Sequence, residues 1–292
     1  MSDPIALDSA WIAANPLPVH GGGTDKNSRG RVLAIGGSAR SPGAIRLTGE
    51  AAFRAGAGKV QLATLASVAP LLGLLVPEAG IVALPEAGGE LDIRADGPLD
   101  DVLDHADVVI AGPGIADPDA ATRLVRRVAE QAGGGAVLVL DALAIACAAE
   151  LKDVLAPYRD RLVLTPHHGE MAALTGKDAD AIAADPAAIA RAVAAEFGAV
   201  VALKSSDTVV AAPDGRLLSY LGGGVGMATG GSGDVLAGAV AGLLARGADP
   251  LAATGWGVWL HGHSGRRMAA RHGPIGFLAR ELLTEIPLLL PQ

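Results

Sequence analysis

LGGGVGMATGGSGDVLAGAVAGLLARG, residues 221–247, is the stretch that decides how this chain can fold and act. Glycine dominates it as far as Gly233, and a helix-forming run of Val, Leu and Ala then continues to Gly247. A glycine-rich loop that leads into a helix leaves the first backbone N–H groups of that helix unpaired, and an anion can approach them closely. We therefore predict an anion hole made by the backbone amides of Gly230, Gly231, Ser232 and Gly233.

Asp234 follows this loop directly. A carboxylate in that place can take a proton from a hydroxyl group aimed at a phosphorus atom, which makes Asp234 the candidate catalytic base. The simpler alternative is that Asp234 caps the helix and that the glycines only bend the chain. We favour the functional interpretation, because so many glycines raise the entropy of the unfolded chain without benefit to a purely structural loop.

Short apolar runs separated by helical segments fill most of the chain. RVLAI at 31–35, DVVIAG at 107–112 and RLVLTP at 161–166 lack strict alternation, which indicates parallel strands covered on both faces. Near residues 200–220 three runs are separated only by short turns, which predicts an antiparallel meander at one edge. The predicted fold class is α/β, a three-layer α/β/α sandwich with a mostly parallel central sheet and an antiparallel edge.

Composition narrows the classes of function. A formal net charge of −8 argues against non-specific binding to nucleic acid. We find no basic start followed by an apolar segment and no run of about 18 apolar residues, so we expect no membrane partner. The lone Cys147 suits a reducing compartment, and the expected location is cytoplasmic.

The organisation of the chain also follows from composition. No linker divides the sequence, so we predict one domain over residues 1–292, with residues 1–25 as a mobile amino-terminal segment. The Ala-rich helices contain few aromatic residues and are compatible with packing between subunits of a homo-oligomer.

Polar groups follow several of the predicted strands, at the end of the sheet where ligands of open α/β sheets bind. Gly114 lies in a Gly-Pro-Gly turn, whose amides face the space above the sheet. Asp141 follows VLVL and is equally well explained as the N-cap of the next helix. Lys204 opens KSSDT after another strand, where its cation can meet phosphate charge.

LTPHHGEM, residues 164–171, invites a metal interpretation. The two adjacent histidines lack the spacing that places paired imidazoles on one helix face, so a transition-metal site is disfavoured. We expect instead that His167 donates a hydrogen bond to substrate and that Glu170 holds the water shell of a Mg²⁺ ion bound to phosphates.

These motifs together resemble the ribokinase-like superfamily, and within it the ADP/ATP-dependent NAD(P)H-hydrate dehydratases of the YjeF carboxy-terminal type. The resemblance covers about residues 26–287. It rests on KNSRGRVLAIGGSARSPGAIRL, EAAFRAGAGKV, AGPGI, LTPHHGEM, KSSDT and MATGGSGDVLAG, which occur in the order of the family.

The resemblance implies an enzyme that uses ADP or ATP with Mg²⁺ to convert NAD(P)H hydrate to NAD(P)H through a phosphorylated intermediate. It implies a substrate site at Ala44, Gly114, His167 and Asp234. It implies an adenine-nucleotide site at Lys204, Ser205, Ser206, Asp207, Thr208 and Gly233.

Two alternatives remain open at this stage. The first is a small-molecule alcohol kinase of the same superfamily, acting on a hydroxymethylpyrimidine, a thiazole or a pyridoxal, since such a kinase needs the same loop and the same Asp. The second is a nucleotide-binding protein without catalysis, because the chain departs from the family pattern at His168, at Ser205 and at Gly224 and Val225.

Overall fold

A long sheet runs through the molecule, and helices cover both of its faces. The computed structural model describes residues 3–21, 23, 25–93 and 97–291. The strands are β1 (Ile5–Ala6), β2 (Arg31–Ile35), β3 (Lys59–Leu65), β4 (Gly80–Leu84), β5 (Glu86–Ala87), β6 (Glu90–Leu91), β7 (Val108–Ala111), β8 (Val137–Leu140), β9 (Leu162–Leu164), β10 (Ala199–Leu203), β11 (Asp207–Ala211) and β12 (Leu217–Leu221).

The helices alternate with the strands over most of the chain. They are α1 (Ser9–Ala14), α2 (Ala44–Arg54), α3 (Ala69–Leu75), α4 (Asp100–Leu103), α5 (Pro118–Gln131), α6 (Leu143–Cys147), α7 (Lys152–Leu155), α8 (His168–Thr175), α9 (Ala179–Ala184), α10 (Pro186–Phe197), α11 (Ser232–Ala245), α12 (Pro250–His272), α13 (Ala279–Leu282) and α14 (Ile286–Leu289). None of these described helices is both long enough and apolar enough to span a membrane.

The main sheet contains ten strands in the order β1-β12-β11-β10-β9-β8-β7-β2-β3-β4. From β10 to β4 every neighbouring pair is parallel, whereas β10, β11 and β12 form an antiparallel meander. β7 and β10 are buried along their whole length, which is why their sequences lack polar alternation. The predicted fold class is confirmed.

Two apolar cores fill the space between the sheet and the two helical layers. One core includes Ile45 of α2, Leu236 of α11 and Trp256 of α12. The other includes Leu124 of α5 and Val193 of α10. The sheet therefore lies in the middle of three layers, and the ends of its central strands are the natural place for polar groups.

The amino-terminal segment extends the sheet beyond the meander. The sequence predicted that the meander finishes this edge, but β1 pairs in parallel with β12 and is the outermost strand. Two residues give no periodic signal, and the pairing partner lies more than 200 residues away. Trp256 of α12 also donates its indole N–H to the carbonyl oxygen of Asn15 at 2.7 Å. Residues 1–25 thus include an ordered strand and helix, while residues 1, 2, 22 and 24 lie outside the described part.

Helix α11 packs unusually close to helix α2, because it carries glycine where the two helices cross. A Cβ placed on Gly238 would lie 2.1 Å from the carbonyl oxygen of Thr48, and one placed on Gly242 would lie 2.4 Å from that of Ala52. Real side chains cannot make such contacts with a neighbouring backbone. These glycines therefore set how closely α11 lies against α2.

We expect Gly238→Ala to destabilise the protein by about 1–3 kcal/mol, because the methyl group forces two helices apart. In an unconstrained helix the same change would stabilise by up to about 1 kcal/mol. Gly43→Ala is the control, since a Cβ on Gly43 would meet no atom within 4 Å. Denaturant unfolding measures both variants, and equal stability of G238A and wild type would contradict the close-packing argument.

Candidate active site

The carboxyl ends of β8, β9 and β10 bring four polar side chains together, since these strands are parallel neighbours. Asp141 follows β8, Thr165 follows β9 and Lys204 follows β10. Lys204 Nζ lies 2.9 Å from Asp141 Oδ1 and 3.6 Å from Glu170 Oε2. Thr165 Oγ1 donates to the same Asp141 Oδ1 at 2.7 Å. One buried carboxylate thus ties three strand ends together.

Asp141 does not cap a helix, so that alternative is wrong. The N-cap position of α6 is Ala142, and no side chain caps this helix. Asp141 is only 2% exposed, and its oxygen is already shared by Lys204 and Thr165. Its carboxylate therefore acts as the counter-ion of a buried lysine.

Lys204 remains charged in this setting. Burial lowers the pKa of the ammonium, but the nearby charges of Asp141 and Glu170 outweigh burial, so the pKa lies above its usual value. A Cβ placed on Gly233 would lie 3.3 Å from Lys204 Nζ. The cation consequently sits against the first turn of α11, where a phosphate group would approach.

Glu170 and His167 form a capping box at the start of α8. The His167 amide donates to Glu170 Oε2 at 2.8 Å, and His167 Nδ1 accepts from the amides of Gly169 and Glu170 at 2.9 and 3.2 Å. Because Nδ1 is an acceptor, the proton of neutral His167 is on Nε2, which lies 3.4 Å from Glu170 Oε1. The His167 side chain is 59% exposed and presents a donor near the site.

The glycine loop ends in a left-handed turn immediately before α11. Gly231, the N-cap, has φ of 88°, and a Cβ there would lie 2.5 Å from Leu47 Cδ1, so only glycine fits. Within the described residues the amides of Gly230, Gly231 and Gly233 have no protein acceptor. The Ser232 amide, in contrast, donates to the carbonyl oxygen of Thr229 at 3.2 Å. Three of the four predicted anion-hole amides are therefore free.

Asp234 lies in the first turn of α11. Burial raises the pKa of its carboxyl to about 7, the negative charges of Asp141 and Glu170 add to this rise, and Lys204 opposes it. A carboxyl with a pKa near neutrality can both accept and return a proton at physiological pH, which suits general acid–base chemistry.

A cavity of about 780 Å³ opens beside these groups. All six residues of the predicted nucleotide site line it, namely Lys204, Ser205, Ser206, Asp207, Thr208 and Gly233, and Ser232 and His167 line it as well. The KSSDT turn is held by its own hydroxyl groups: Ser205 Oγ donates to the Asp207 carbonyl oxygen at 2.8 Å, and Thr208 Oγ1 donates to that of Ser205 at 3.2 Å.

The described residues that line this cavity do not include Ala44, Gly114, Glu170, Gly230, Gly231 or Asp234. Ala44 is the first residue of α2, and a Cβ placed on Gly114 would lie 2.9 Å from Ala44 Cβ. Leu47, one turn further along α2, faces the turn at Gly231. The structure thus brings Ala44 and Gly114 together, and α2 also contacts the turn that begins α11.

Sequence analysis missed several residues of the cavity. They come from β12, the glycine loop and α12, and they include Tyr220, Gly222, Gly223, Val225, Met227, Val258, His261 and Gly262. For the loop glycines the sequence held a signal, since they belong to the same glycine-rich stretch. The sequence of α12 has the pattern of an ordinary helix, and only the three-dimensional structure shows that some of its residues face the cavity.

The expected role of Glu170 at a magnesium ion can be tested against its surroundings. The described residues contain no group of three His, Cys, Asp or Glu side chains arranged to hold a metal ion. Mg²⁺ commonly binds through one or two carboxylates, waters and substrate phosphates, so it needs no such cage. Asp141, Glu170 and Asp234 surround the single ammonium of Lys204. The donor set thus has an excess of carboxylate oxygen, and it fits a hard cation that is held partly by water.

We expect Asp141→Ala to destabilise the protein by about 3–5 kcal/mol, because it leaves the buried Lys204 ammonium without its nearest counter-ion. The control is Asp214→Ala, which removes an exposed ion pair of 2.7 Å to Arg216 and should change stability by about 0–1 kcal/mol. Thermal unfolding at neutral pH measures both. A similarly small loss of stability in the two variants would show that Asp141 does not stabilise the ends of β8, β9 and β10.

The chain is similar to known proteins over nearly its whole length. A family model described as NAD(P)H-hydrate dehydratase matches residues 32–288. The ADP-dependent (S)-NAD(P)H-hydrate dehydratase of Xanthomonas campestris pv. campestris is 48% identical over 286 residues, which cover 98% of this chain and 96% of that protein. The bifunctional NAD(P)H-hydrate repair enzyme Nnr of Moorella thermoacetica is 40% identical, and the match covers 97% of this chain but 53% of that longer protein.

Solved structures are similar over the length of the chain as well. The ADP/ATP-dependent NAD(P)H-hydrate dehydratase of Bacillus subtilis, co-crystallised with ATP and Mg²⁺, superposes with a TM-score of 0.83 at 27% identity. The superposition covers 99% of this chain and 98% of that one. With a family model over most of its length and a nearly full-length relative at 48% identity, the chain belongs to the NAD(P)H-hydrate dehydratase family, within the ribokinase-like fold.

Proposed function

We propose that this protein dehydrates (S)-NAD(P)H hydrate to NAD(P)H at the expense of a nucleoside diphosphate, with ADP as the preferred phosphoryl donor. The observation that carries the proposal is the position of Asp234. This carboxyl has a pKa of about 7 and directly follows Gly233, which lines a cavity of nucleotide size. It also lies near Gly231, the glycine that faces Leu47 of α2. The preference for ADP is supported by the name of the Xanthomonas relative.

The cavity supports the nucleotide part of the proposal. Its apolar lining includes Tyr220, Val225 and Val258, a surface on which a purine can pack. Its other end holds the Lys204 cation beside Gly233, so the phosphates would lie at the start of α11, where free amides and positive charge coincide. The nucleotide would then point its terminal phosphate towards Asp234.

The substrate part rests on Ala44 and Gly114, which lie together outside this cavity. Neither residue has a side chain that would keep a flat ring away from the backbone. His167 lines the nucleotide cavity, and with its proton on Nε2 it offers a hydrogen-bond donor from the end of β9, where the two ligands would meet. We assign the hydrated nicotinamide ring to the side of Ala44 and Gly114.

The proposed reaction has two steps, and its atoms balance. Asp234 takes the proton of the ring hydroxyl while the oxygen attacks the terminal phosphorus, and AMP leaves when ADP is the donor. The lone pair of the ring nitrogen then breaks the C–O bond of the phosphorylated ring, and inorganic phosphate leaves. Loss of a ring proton restores NAD(P)H. The Lys204 ammonium and the amides of Gly230, Gly231 and Gly233 stabilise charge on the group in transfer.

The oxygen-rich set of carboxylates fits a Mg²⁺ ion, which Glu170 would hold through water. When bound, it would neutralise phosphate charge. The work of this chain's own residues is to orient the phosphates, to accept the hydroxyl proton at Asp234, and to hold Lys204 in place through Asp141.

One assay tests the proposal. The protein is incubated with NADHX, Mg²⁺ and either ADP or ATP, and the absorbance of the reduced nicotinamide and the release of phosphate are followed together. We expect both to rise in parallel, and faster with ADP. A stable phosphoester without reduced nicotinamide would indicate an alcohol kinase instead, and tight nucleotide binding without any turnover would indicate a non-catalytic binding protein.

Asp234→Asn should reduce turnover by about three orders of magnitude or more, because the amide cannot accept the hydroxyl proton. The substitution preserves shape, so circular dichroism and nucleotide affinity should stay close to wild type. Near-normal turnover in D234N would remove Asp234 from the mechanism.

The pH dependence of kcat/KM should show an ascending limb with a midpoint near 7. Asp234 must be ionised to act as a base, its pKa is raised to about 7, and activity is therefore lost as pH falls below that value. Asp141→Asn removes a charge that raises this pKa, so the limb should move to lower pH. A wild-type limb near pH 4, the ordinary value for a carboxyl, would contradict the assignment.

A further inference from the structure

His261 of α12 makes a contact that the proposed mechanism does not use. Its Nε2 lies 2.9 Å from Ser232 Oγ, the hydroxyl of the first residue of α11. Both side chains line the cavity together with Lys204 and Gly233. The contact joins two helices at the end of the cavity where the phosphates are placed.

Ser232 has only its hydroxyl to offer a ligand there. Its amide donates to the carbonyl oxygen of Thr229, so it cannot take part in the anion hole. The residue is 6% exposed, and its hydroxyl carries one proton and two lone pairs. The direction of that proton decides whether the hydroxyl attracts or repels an anion.

His261 controls that direction. Burial lowers the pKa of its imidazole to about 4, so at neutral pH the ring carries one proton, on either Nδ1 or Nε2. If Nε2 is bare, it accepts the Ser232 proton and the hydroxyl turns lone pairs to the cavity. If Nε2 carries the proton, it donates to Ser232 Oγ and the hydroxyl proton is free to point outward. Only the second arrangement suits a phosphate.

We propose that His261 is a positioning residue for the nucleotide: its Nε2–H donates to Ser232 Oγ and thereby aims the Ser232 hydroxyl proton at the terminal phosphate over the first turn of α11. This inference rests on the proposed function only in placing a phosphate at that turn. It adds a side-chain donor to the backbone anion hole, supplied by one helix and oriented by another.

Binding measurements test the pair. We expect His261→Leu and Ser232→Ala each to weaken ADP binding by about ten-fold or more in calorimetric titrations, the size expected for one hydrogen bond to a charged group. The double variant should lose no more than either single variant, because both changes remove the same donor. Affinity for adenosine, which lacks phosphate, should stay unchanged in all three.

Two further variants separate positioning from simple packing. His261→Gln keeps an N–H at about the place of Nε2 and should recover most of the lost ADP affinity. His272→Gln, at the exposed end of the same helix, should behave as wild type. The inference fails if H261L binds ADP as tightly as wild type, if adenosine affinity falls equally with ADP affinity, or if the two single losses add.

The tautomer supplies an independent readout. In ¹⁵N spectra of the ADP complex, the His261 resonances should show a protonated Nε2 and a bare Nδ1, whereas a bare Nε2 would overturn the inference. Failure of the proposed function looks different, since wild-type protein would then bind ADP without dehydrating NADHX. A wild-type protein that does not bind ADP at all would refute both.

Discussion

A buried ion pair governs the site. Lys204 and Asp141 follow strands that are two places apart in the sheet, and Thr165, which follows the strand between them, donates to the same carboxylate oxygen. Removing two charges from water is costly, and the pair persists because its members satisfy one another and Glu170 lies near. In return the arrangement fixes a cation at the amino terminus of α11, and the charge of Asp141 adds to the burial that raises the proton affinity of Asp234. The proposed chemistry and the alignment of the three strand ends thus depend on the same contact.

Local sequence was enough to predict the layers, the meander, the glycine turn and the helix after it. The residue pattern that indicates each of these features spans no more than about twenty consecutive residues. The family resemblance is confirmed by the comparisons. It also supplied the residues of KSSDT, which the structure places around one cavity. Their roles at the nucleotide, like that of Glu170 at a metal ion, stay predictions that await measurement, and so does the assignment of the whole chain to one domain.

Long-range contacts account for what sequence reasoning could not reach. Asp141 follows an apolar strand whether it caps a helix or pairs with a lysine 63 positions later, and nothing nearby distinguishes the two. His261 lies on a helix of ordinary composition and meets Ser232 only because α11 and α12 pack together. β1 is too short to carry a pattern, and its partner β12 lies more than 200 residues later in the chain. Such pairings are decided by packing, so they become visible only once the layers are assembled.

The contacts between the amino-terminal segment and α12 affect how the molecule would respond to a protease. Leu7 and Leu17 are buried, Trp11 touches the helix at Gly255, and Asn15 accepts the indole proton of Trp256. In the link that follows, residues 18–21, 23 and 25–29 are largely exposed, and a protease would cut there first. Cleavage there would break the peptide chain but not these contacts. The cleaved amino-terminal fragment would therefore stay bound to α12, and the helix that lines the cavity would remain packed as before.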